Sequence, residues 1–227
     1  MYQERIGRVL AAMEQMGLEQ MIVSDPDSIW YLTGYYVFPL ERLFALYLRR
    51  DGKHKLFLNK LFPVPEVPYE QVWFSDTDDY LAILAENVDG TKPMGIDKEW
   101  PARFLLPLMA HNPGSRCVLA SACVDDARAR KDETERELMR AASRINDTVM
   151  ERAAAFVREG MMEREVADYI VAQYAAEGCD AVAFQPIVSF GPHAADPHHE
   201  ADQTRLRAGD CIVIDMGCRK DRYCSDM

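Results

Sequence analysis

The chain has 227 residues, with 37 acidic against 26 basic side chains and a formal net charge of −11. This length is enough for about two domains, and the negative field disfavours binding to nucleic acid or to an anionic membrane. The sequence has no long apolar stretch, no signal-peptide core and no Cys-x-x-Cys pair among its six cysteines. Composition therefore predicts a cytoplasmic protein with reduced thiols and with no nucleic-acid or membrane partner.

The amino-terminal part of the chain begins with the pattern of an α/β domain. Residues 5–16 carry apolar side chains at helical spacing and are followed by Gly17, which predicts a helix and its end. Residues 21–23 form a short apolar run that predicts a buried strand. Residues 25–28 contain a proline and two aspartates, and they are predicted to form a turn.

Alternating elements continue up to residue 125. Two runs of strand composition flank a polar, glycine-containing break and predict a hairpin, and two further strands are expected on either side of a helix. The predicted strands are residues 43–48, 55–58, 95–97 and 117–119, and the helix lies near residues 101–111. Because strands and helices alternate, residues 1–125 are predicted to form an α/β domain.

A domain boundary is predicted in the charged segment at residues 122–132, so that the second domain covers residues 126–227. Residues 125–136 lack an apolar period, as expected of a linker that leads into a helix. Apolar side chains then recur every three or four residues, which predicts a long amphipathic helix ending at Gly160. A second helix is predicted over residues 163–176. Both helices are expected to pack on a sheet rather than to carry chemistry.

The last part of the sequence predicts a β-hairpin that carries two carboxylates. Residues 211–215 are an apolar run ending in an acid, the pattern of a buried strand. If residues 219–222 form the connecting loop, Asp215 lies opposite Asp226, with Cβ atoms about 4.5–5.5 Å apart. Two buried carboxylates this close repel each other, and one or two divalent cations remove the conflict. Oxygen-rich ligation favours manganese, cobalt, magnesium or zinc over copper.

Other interpretations of these acids and of the nearby histidines stay open at this point. The two aspartates could be solvated acids on surface strands, and a one-residue slip in register would place them on opposite faces. A zinc cluster made of His193, His198, His199 and Glu200 is disfavoured, because adjacent residues of an extended chain point to opposite sides.

Four further residues are weaker functional candidates. Trp30, Phe38 and Arg42 could line a substrate entrance, although core packing is the better interpretation of Trp30. Cys224 is expected to lie near Asp226, but a thiolate suits a hard carboxylate site poorly. We therefore interpret Cys224 as a packing residue.

The residues of the hairpin also carry a family resemblance. Gly209-Asp210, the run ending in Asp215-x-Gly217, and Tyr223-x-Ser225-Asp226-Met227 resemble the first half of the metal-binding core of the pita-bread metallopeptidases, family M24. That family includes aminopeptidase P, prolidase, methionine aminopeptidase and creatinase. In the amino-terminal half, Tyr31-Leu32-Thr33-Gly34 resembles a signature of the creatinase-type N-terminal domain.

The resemblance implies an α/β creatinase-like N-terminal domain followed by an incomplete α+β pita-bread domain. It implies that Asp215 and Asp226 ligate two divalent metal ions (manganese, cobalt or zinc) and that His198 contacts substrate and assists proton transfer. The implied activity is hydrolysis of peptide bonds next to proline by a homodimer. A metal-free binding protein and a creatinase-like hydrolase of a small guanidino compound are the alternatives. The resemblance also implies a histidine and two glutamates beyond residue 227, so we expect the 227-residue chain alone to be inactive.

Overall fold

The computed structural model describes residues 2–227 and divides into two compact units. The first unit ends at Arg130 and the second runs from Lys131 to Met227. The boundary predicted after residue 125 falls inside a helix of the first unit, Ala122–Ala129. That helix buries three side chains in the core of the first unit, namely Cys123, Val124 and Ala127. The division after Arg130 thus lies within the segment 122–132 in which a boundary is predicted, but residues 122–129 of that segment are helix rather than linker.

The first unit is a six-stranded mixed sheet with helices on both faces, which confirms the predicted α/β class. Its strands are β1 (Gln20–Val23), β2 (Ala45–Arg49), β3 (Lys55–Asn59), β4 (Glu70–Phe74), β5 (Met94–Ile96) and β6 (Cys117–Leu119). Its helices are α1 (Tyr2–Gln15), α2 (Pro26–Thr33), α3 (Tyr80–Glu86), α4 (Ala102–His111) and α5 (Ala122–Ala129). The strand order is β4-β3-β2-β1-β5-β6. β2 runs antiparallel to β1 and β3, whereas the other neighbouring pairs are parallel.

The central strand β1 is buried on both of its faces, as predicted. Met21 and Val23 lie in one core cluster together with Ile6 of α1. Ile22, between them, lies in the second core cluster with Tyr47 of β2. Successive side chains of a strand point to opposite faces, so this single apolar run supplies both cores.

The predicted turn at residues 25–28 is wrong, because these residues begin α2. The Asp25 carboxylate accepts the backbone N–H of Ser28 at 2.9 Å and that of Asp27 at 3.4 Å. It is therefore the N-cap of the helix, and Pro26 occupies the first turn, where its missing N–H has no cost. β4 and α3 were not predicted from the sequence.

The second unit consists of two helices and two small sheets. Its elements are α6 (Glu133–Phe156), α7 (Glu163–Ala176), β7 (Ala181–Val182), β8 (Ile187–Phe190), a 3₁₀ turn (Gly191–Ala195), β9 (Ile212–Asp215), β10 (Cys218–Lys220) and β11 (Tyr223–Cys224). The predicted second helix coincides with α7. The first ends at Phe156 rather than at Gly160, because Val157 has an extended backbone with ψ of 133°. One sheet has the order β11-β10-β7, and β8 pairs with β9 in the other.

Strand β9 is exposed, so its predicted burial is wrong. Ile212 and Val213 keep 41% and 42% of their surface accessible. Within residues 2–227, β9 hydrogen-bonds to β8 on one side and to no strand on the other. The composition of β9 therefore predicts a strand correctly. The strand is exposed because, among residues 2–227, no second strand covers its other edge. Among the helices of residues 2–227, none combines the length and the apolar character needed to cross a membrane.

Candidate functional site

The β10–β11 hairpin has a shorter turn than the sequence predicted. Lys220 pairs with Tyr223, so only Asp221 and Arg222 form the connection. Both turn residues have positive φ, 49° and 66° respectively, as a two-residue type I′ turn requires. The predicted four-residue loop is wrong, because Arg219 and Lys220 belong to the strand.

This correction moves Asp226 by two residues relative to Asp215. Met216 and Met227 exchange backbone hydrogen bonds of 2.9 and 3.1 Å, so the register places Asp226 opposite Gly217 and not opposite Asp215. A shift of two residues keeps a side chain on the same face of a strand, whereas a shift of one would reverse it. The two aspartates are therefore still expected to point to the same side of the hairpin. Diagonal neighbours lie about 7–8 Å apart, which leaves space for a cation between two carboxylates.

Gly217 is the tightest point of this hairpin. A Cβ atom at this position would lie 2.2 Å from the carbonyl oxygen of Ser225 and 3.1 Å from the ring of Phe184. The backbone of the opposite strand cannot move away cheaply, since Ser225 donates its N–H to the Cys218 carbonyl at 2.9 Å. The Asp-x-Gly spacing thus has a steric reason that is independent of any metal.

His198 lies on the wall of a cavity of about 590 Å³ in the second unit. Its imidazole is exposed, and its backbone N–H donates to the Asp196 carboxylate at 3.0 Å. Ile187 lines the same cavity and is the residue paired with the half-buried Asp215. Paired residues point to the same side of a sheet, so the sheet face that carries Asp215 borders the cavity that holds His198.

A second polar centre, which was not predicted from the sequence, is built around Glu163 at the start of α7. Glu163 is fully buried, with 0% of its surface accessible. Its Oε1 accepts the Phe190 backbone N–H at 2.8 Å and lies 3.0 Å from His193 Nδ1. Its Oε2 lies 2.7 Å from His199 Nε2 and accepts the Asp202 backbone N–H at 3.2 Å. One carboxylate therefore holds β8 and three points of the chain that follows it.

The two histidines of this centre stand side by side, with ring centroids 4.1 Å apart. Asp202 completes the group, and one ligand atom from each of Glu163, His193, His199 and Asp202 lies within 4.8 Å of the others. The Thr204 backbone N–H donates to Asp202 at 2.7 Å and holds the pKa of that carboxyl below its usual range.

The zinc cluster considered from the sequence is corrected by this geometry. His198 and Glu200 are exposed and lie outside the group, whereas His193 and His199 belong to it. Because adjacent residues of an extended chain point to opposite sides, His198, His199 and Glu200 were not expected to face one ion, and only His199 of the three belongs to the group. The same reasoning could not find Glu163. That residue resembles an ordinary acid in the first turn of a helix, and its burial arises only from packing. The expectation that the two helices pack on a sheet did not anticipate this buried carboxyl group.

The first unit contains three of the weaker candidates, Trp30, Phe38 and Arg42, in different surroundings. Arg42 binds Asp76 through two nitrogens, with Nε–Oδ1 at 3.0 Å and Nη2–Oδ2 at 2.8 Å. Trp30 is half-buried and packs against the first core. Phe38 is 67% exposed. Phe38 and Arg42 both line a cavity of about 490 Å³ in this unit.

Two family models match the chain. Residues 5–130 match the creatinase/prolidase N-terminal domain, and residues 137–227 match metallopeptidase family M24. The two matches meet near the boundary between the compact units.

Solved structures give the same assignment. The chain superposes on a prolidase from Thermococcus sibiricus with a TM-score of 0.92 and 30% identity, covering 100% of this chain and 64% of that one. A dipeptidase PepE from Mycobacterium ulcerans gives a TM-score of 0.89 and 32% identity over 99% of this chain and 62% of that one.

The curated relatives are also peptidases by name. An uncharacterized peptidase of Staphylococcus aureus strain MSSA476 is 29% identical over 230 residues, which are 98% of this chain and 64% of the relative. The chain thus spans a little less than two thirds of the length of the proteins it matches.

Proposed function

The chain belongs to metallopeptidase family M24 and has a creatinase/prolidase N-terminal domain, and from this premise we propose that the protein hydrolyses peptide bonds next to proline. The observation that carries the proposal is the hairpin register, in which Asp226 lies two positions from the place opposite Asp215, together with the pairing of Asp215 with Ile187 on the wall of the His198 cavity. Similarity to a protein named prolidase supports the proline preference. We further propose a cytoplasmic homodimer that acts on peptides.

The proposed metal ligands of this chain are Asp215 and Asp226. Carboxylate oxygens are ligands that divalent manganese, cobalt and zinc accept, and a half-buried carboxylate on a crowded hairpin gains from a cation that offsets its charge. Asp215 and Asp226 therefore fit part of the ligand set that two divalent ions would need as the cofactor. Such ions, when bound, supply Lewis-acid polarisation of a substrate carbonyl.

The proposed role of His198 is to contact the substrate in the cavity. Its ring is exposed while its backbone is held by Asp196, so the imidazole is positioned but accessible. A neutral or protonated imidazole can donate a hydrogen bond to the oxygen that gains charge during attack on the carbonyl. It can also pass a proton to the leaving nitrogen. Neither role requires His198 to bind metal.

The test separates turnover from metal content. We expect His198→Ala to lower turnover of an Xaa-Pro dipeptide by roughly 10²–10⁴-fold, the usual contribution of a general acid–base group. Its bound manganese, measured by elemental analysis, should stay at the level of the unmodified protein. Asp215→Asn and Asp226→Asn should instead lose both metal and turnover. The assays use the natively expressed protein, whose intact mass is recorded in the same preparation.

His111→Ala provides the matched control, since His111 is an exposed histidine on α4 of the first unit. It should change neither quantity. Unchanged turnover in His198→Ala would remove His198 from the mechanism. Hydrolysis of creatine in preference to Xaa-Pro dipeptides would move the protein to the creatinase-like alternative.

A further inference from the structure

The polar centre of Glu163, His193, His199 and Asp202 has a composition that the proposed peptidase reaction does not use. We propose that these four residues form a binding site for one divalent transition-metal ion of the zinc class. The site shares no ligand with Asp215 and Asp226 of the hairpin. It joins the start of α7 to the loop that follows β8.

The donor set has the composition of a zinc site. Two imidazole nitrogens and two carboxylate oxygens are ligands that zinc accepts in a four-coordinate site. One atom from each residue lies within 4.8 Å of the other three, before any ion draws them together. A neutral imidazole that ligates through one nitrogen carries its proton on the other, so both histidines can turn a free lone pair toward the ion.

The burial of Glu163 gives a second reason for a cation. This side chain is wholly buried, and its contacts among the described residues come from two histidines and from backbone N–H groups. Buried carboxylates in proteins are paired or coordinate a metal ion.

An ion can reach the group from solvent. His199 lines the cavity of about 590 Å³ and retains 14% of its side-chain surface. His193 retains 35%. Glu163, by contrast, is fixed from within by the N–H groups of Phe190 and Asp202. The site therefore has a buried base and an accessible rim, the arrangement that allows loading after folding.

The consequence of loading is a closed loop around residues 193–202. Ligation at His193, His199 and Asp202 would tie three points of one loop to α7, and metal binding that exists only in the folded state stabilises that state. His198 lies within this loop, next to a ligand. The ion thus holds the loop that presents His198, without taking part in catalysis.

Zinc binding is tested in the Asp215→Asn/Asp226→Asn double variant, which removes the carboxylates of the hairpin. After treatment with a chelator, the protein is titrated with Zn²⁺ by calorimetry and with Co²⁺ by visible absorption. We expect one equivalent of Zn²⁺ to bind, a Co²⁺ d–d spectrum to appear, and Tm to rise with Zn²⁺. Adding His199→Asn should abolish all three signals.

Two further variants keep the result interpretable. His198→Asn is the matched control, because it alters the exposed neighbour of His199, and it should bind Zn²⁺ as the background does. Glu163→Gln removes the buried charge, and its single amide oxygen can accept only one of the two backbone N–H groups that Oε1 and Oε2 accept in the unmodified protein. If His199→Asn is misfolded by circular dichroism, His193→Asn, at the more exposed ligand, replaces it.

The proposal is overturned if the double variant binds no Zn²⁺, in which case Glu163 acts only as a hydrogen-bonding centre. It is also overturned if His199→Asn and His193→Asn, both folded, bind Zn²⁺ as the background does. Neither result bears on the peptidase proposal, which depends on His198 turnover and on the hairpin aspartates. The two sites are separated directly if the double variant loses the metal of the hairpin but still binds zinc at the group around Glu163.

Discussion

Strands β1 and β9 have nearly the same composition and opposite surroundings. β1 pairs with β2 and β5, and its Ile22 is 0% exposed. β9 pairs with β8, and its Ile212 is 41% exposed. Apolar, β-branched residues thus determine where a strand forms. The number of elements that cover the strand determines how much its side chains contribute to the free energy of unfolding.

The buried acids of the two units also differ in the groups that surround them. In the first unit Asp97 accepts the N–H groups of Ser24 and Asp25 and the Ser24 hydroxyl, which is a purely structural arrangement. In the second unit Glu163 gathers two imidazoles and lies near a second carboxyl group. Buried acids thus stabilise the first unit through backbone N–H groups, but in the second they assemble groups that can bind an ion.

The largest expected effect is the difference between two isoleucine truncations. Ile22→Ala removes a fully buried side chain and should cost about 2–5 kcal/mol of unfolding free energy. Ile212→Ala removes a side chain already in contact with water and should cost less than about 1 kcal/mol. Urea unfolding measures both. Trp30, Trp73 and Trp100 all lie in the first unit, so their fluorescence follows that unit.

Far-ultraviolet circular dichroism follows the helices of both units and serves as the reference for Ile212→Ala. Equal costs for the two variants would contradict the comparison, because they would mean that β9 is buried in solution. A matched control is Leu61→Ala, at a side chain that is 69% exposed in the first unit. It should be close to neutral.

Sequence reasoning succeeded where local pattern and burial coincide. The α7 helix and the β2–β3 hairpin follow from periodicity and turn residues, and no distant contact is needed to place them. The same reasoning failed at residues 25–28, where a proline suggested a turn although an aspartate before a proline is also a helix start. It failed at α5 because three buried side chains are hidden among many charges.

The candidate site was predictable in part for a similar reason. The hairpin aspartates lie two positions apart in the local register, so a motif and a short-range register could propose them as ligands even with the wrong turn. Glu163 and His193 are separated by a helix, a loop and two strands, and only the tertiary fold brings their side chains to 3.0 Å. No period or motif in one sequence encodes that contact.

The second prediction compares the helix caps of the two units. Asp25 caps α2 and also binds Arg128, with Nη1–Oδ2 at 3.0 Å. Asp132 caps α6 through the N–H of Glu135 at 2.9 Å. A cap is worth about 1 kcal/mol, so we expect Asp25→Ala to cost about 2 kcal/mol and Asp132→Ala about 1 kcal/mol, since a partly exposed ion pair adds up to about 1 kcal/mol.

Asparagine substitutions separate the cap from the charge. Asparagine caps as well as aspartate, so Asp132→Asn should keep the cap, whereas Asp25→Asn should keep the cap and lose the Arg128 ion pair. Thermal unfolding monitored by circular dichroism gives both differences. If Asp132→Ala lowered the stability more than Asp25→Ala does, the predicted order of the two caps would be wrong.

The smallest expected effect is a pH dependence in the first unit that comes from His54. Its Nδ1 accepts the Arg49 backbone N–H at 3.2 Å, and its ring meets Tyr69 edge to face. Burial lowers the pKa of His54 below its ordinary value. In the unfolded chain His54 takes up a proton below about pH 6.5, whereas in the folded unit it does so only at lower pH. Stability should therefore fall as pH drops from about 7 to 5, by at most about 1.4 kcal/mol per pH unit.

His54→Asn isolates this contribution, because the amide oxygen can accept the same N–H but does not titrate. Loss of the ring lowers the stability of the variant by a constant amount, so the informative quantity is the difference between the two proteins as pH changes. Tryptophan fluorescence in urea, recorded from pH 5 to pH 8, gives that difference for the first unit. We expect the wild-type protein to lose its advantage over His54→Asn toward pH 5. If the two proteins gave parallel curves of stability against pH, the folded and unfolded states would bind the His54 proton equally. The conclusion that burial lowers the pKa of His54 would then be wrong.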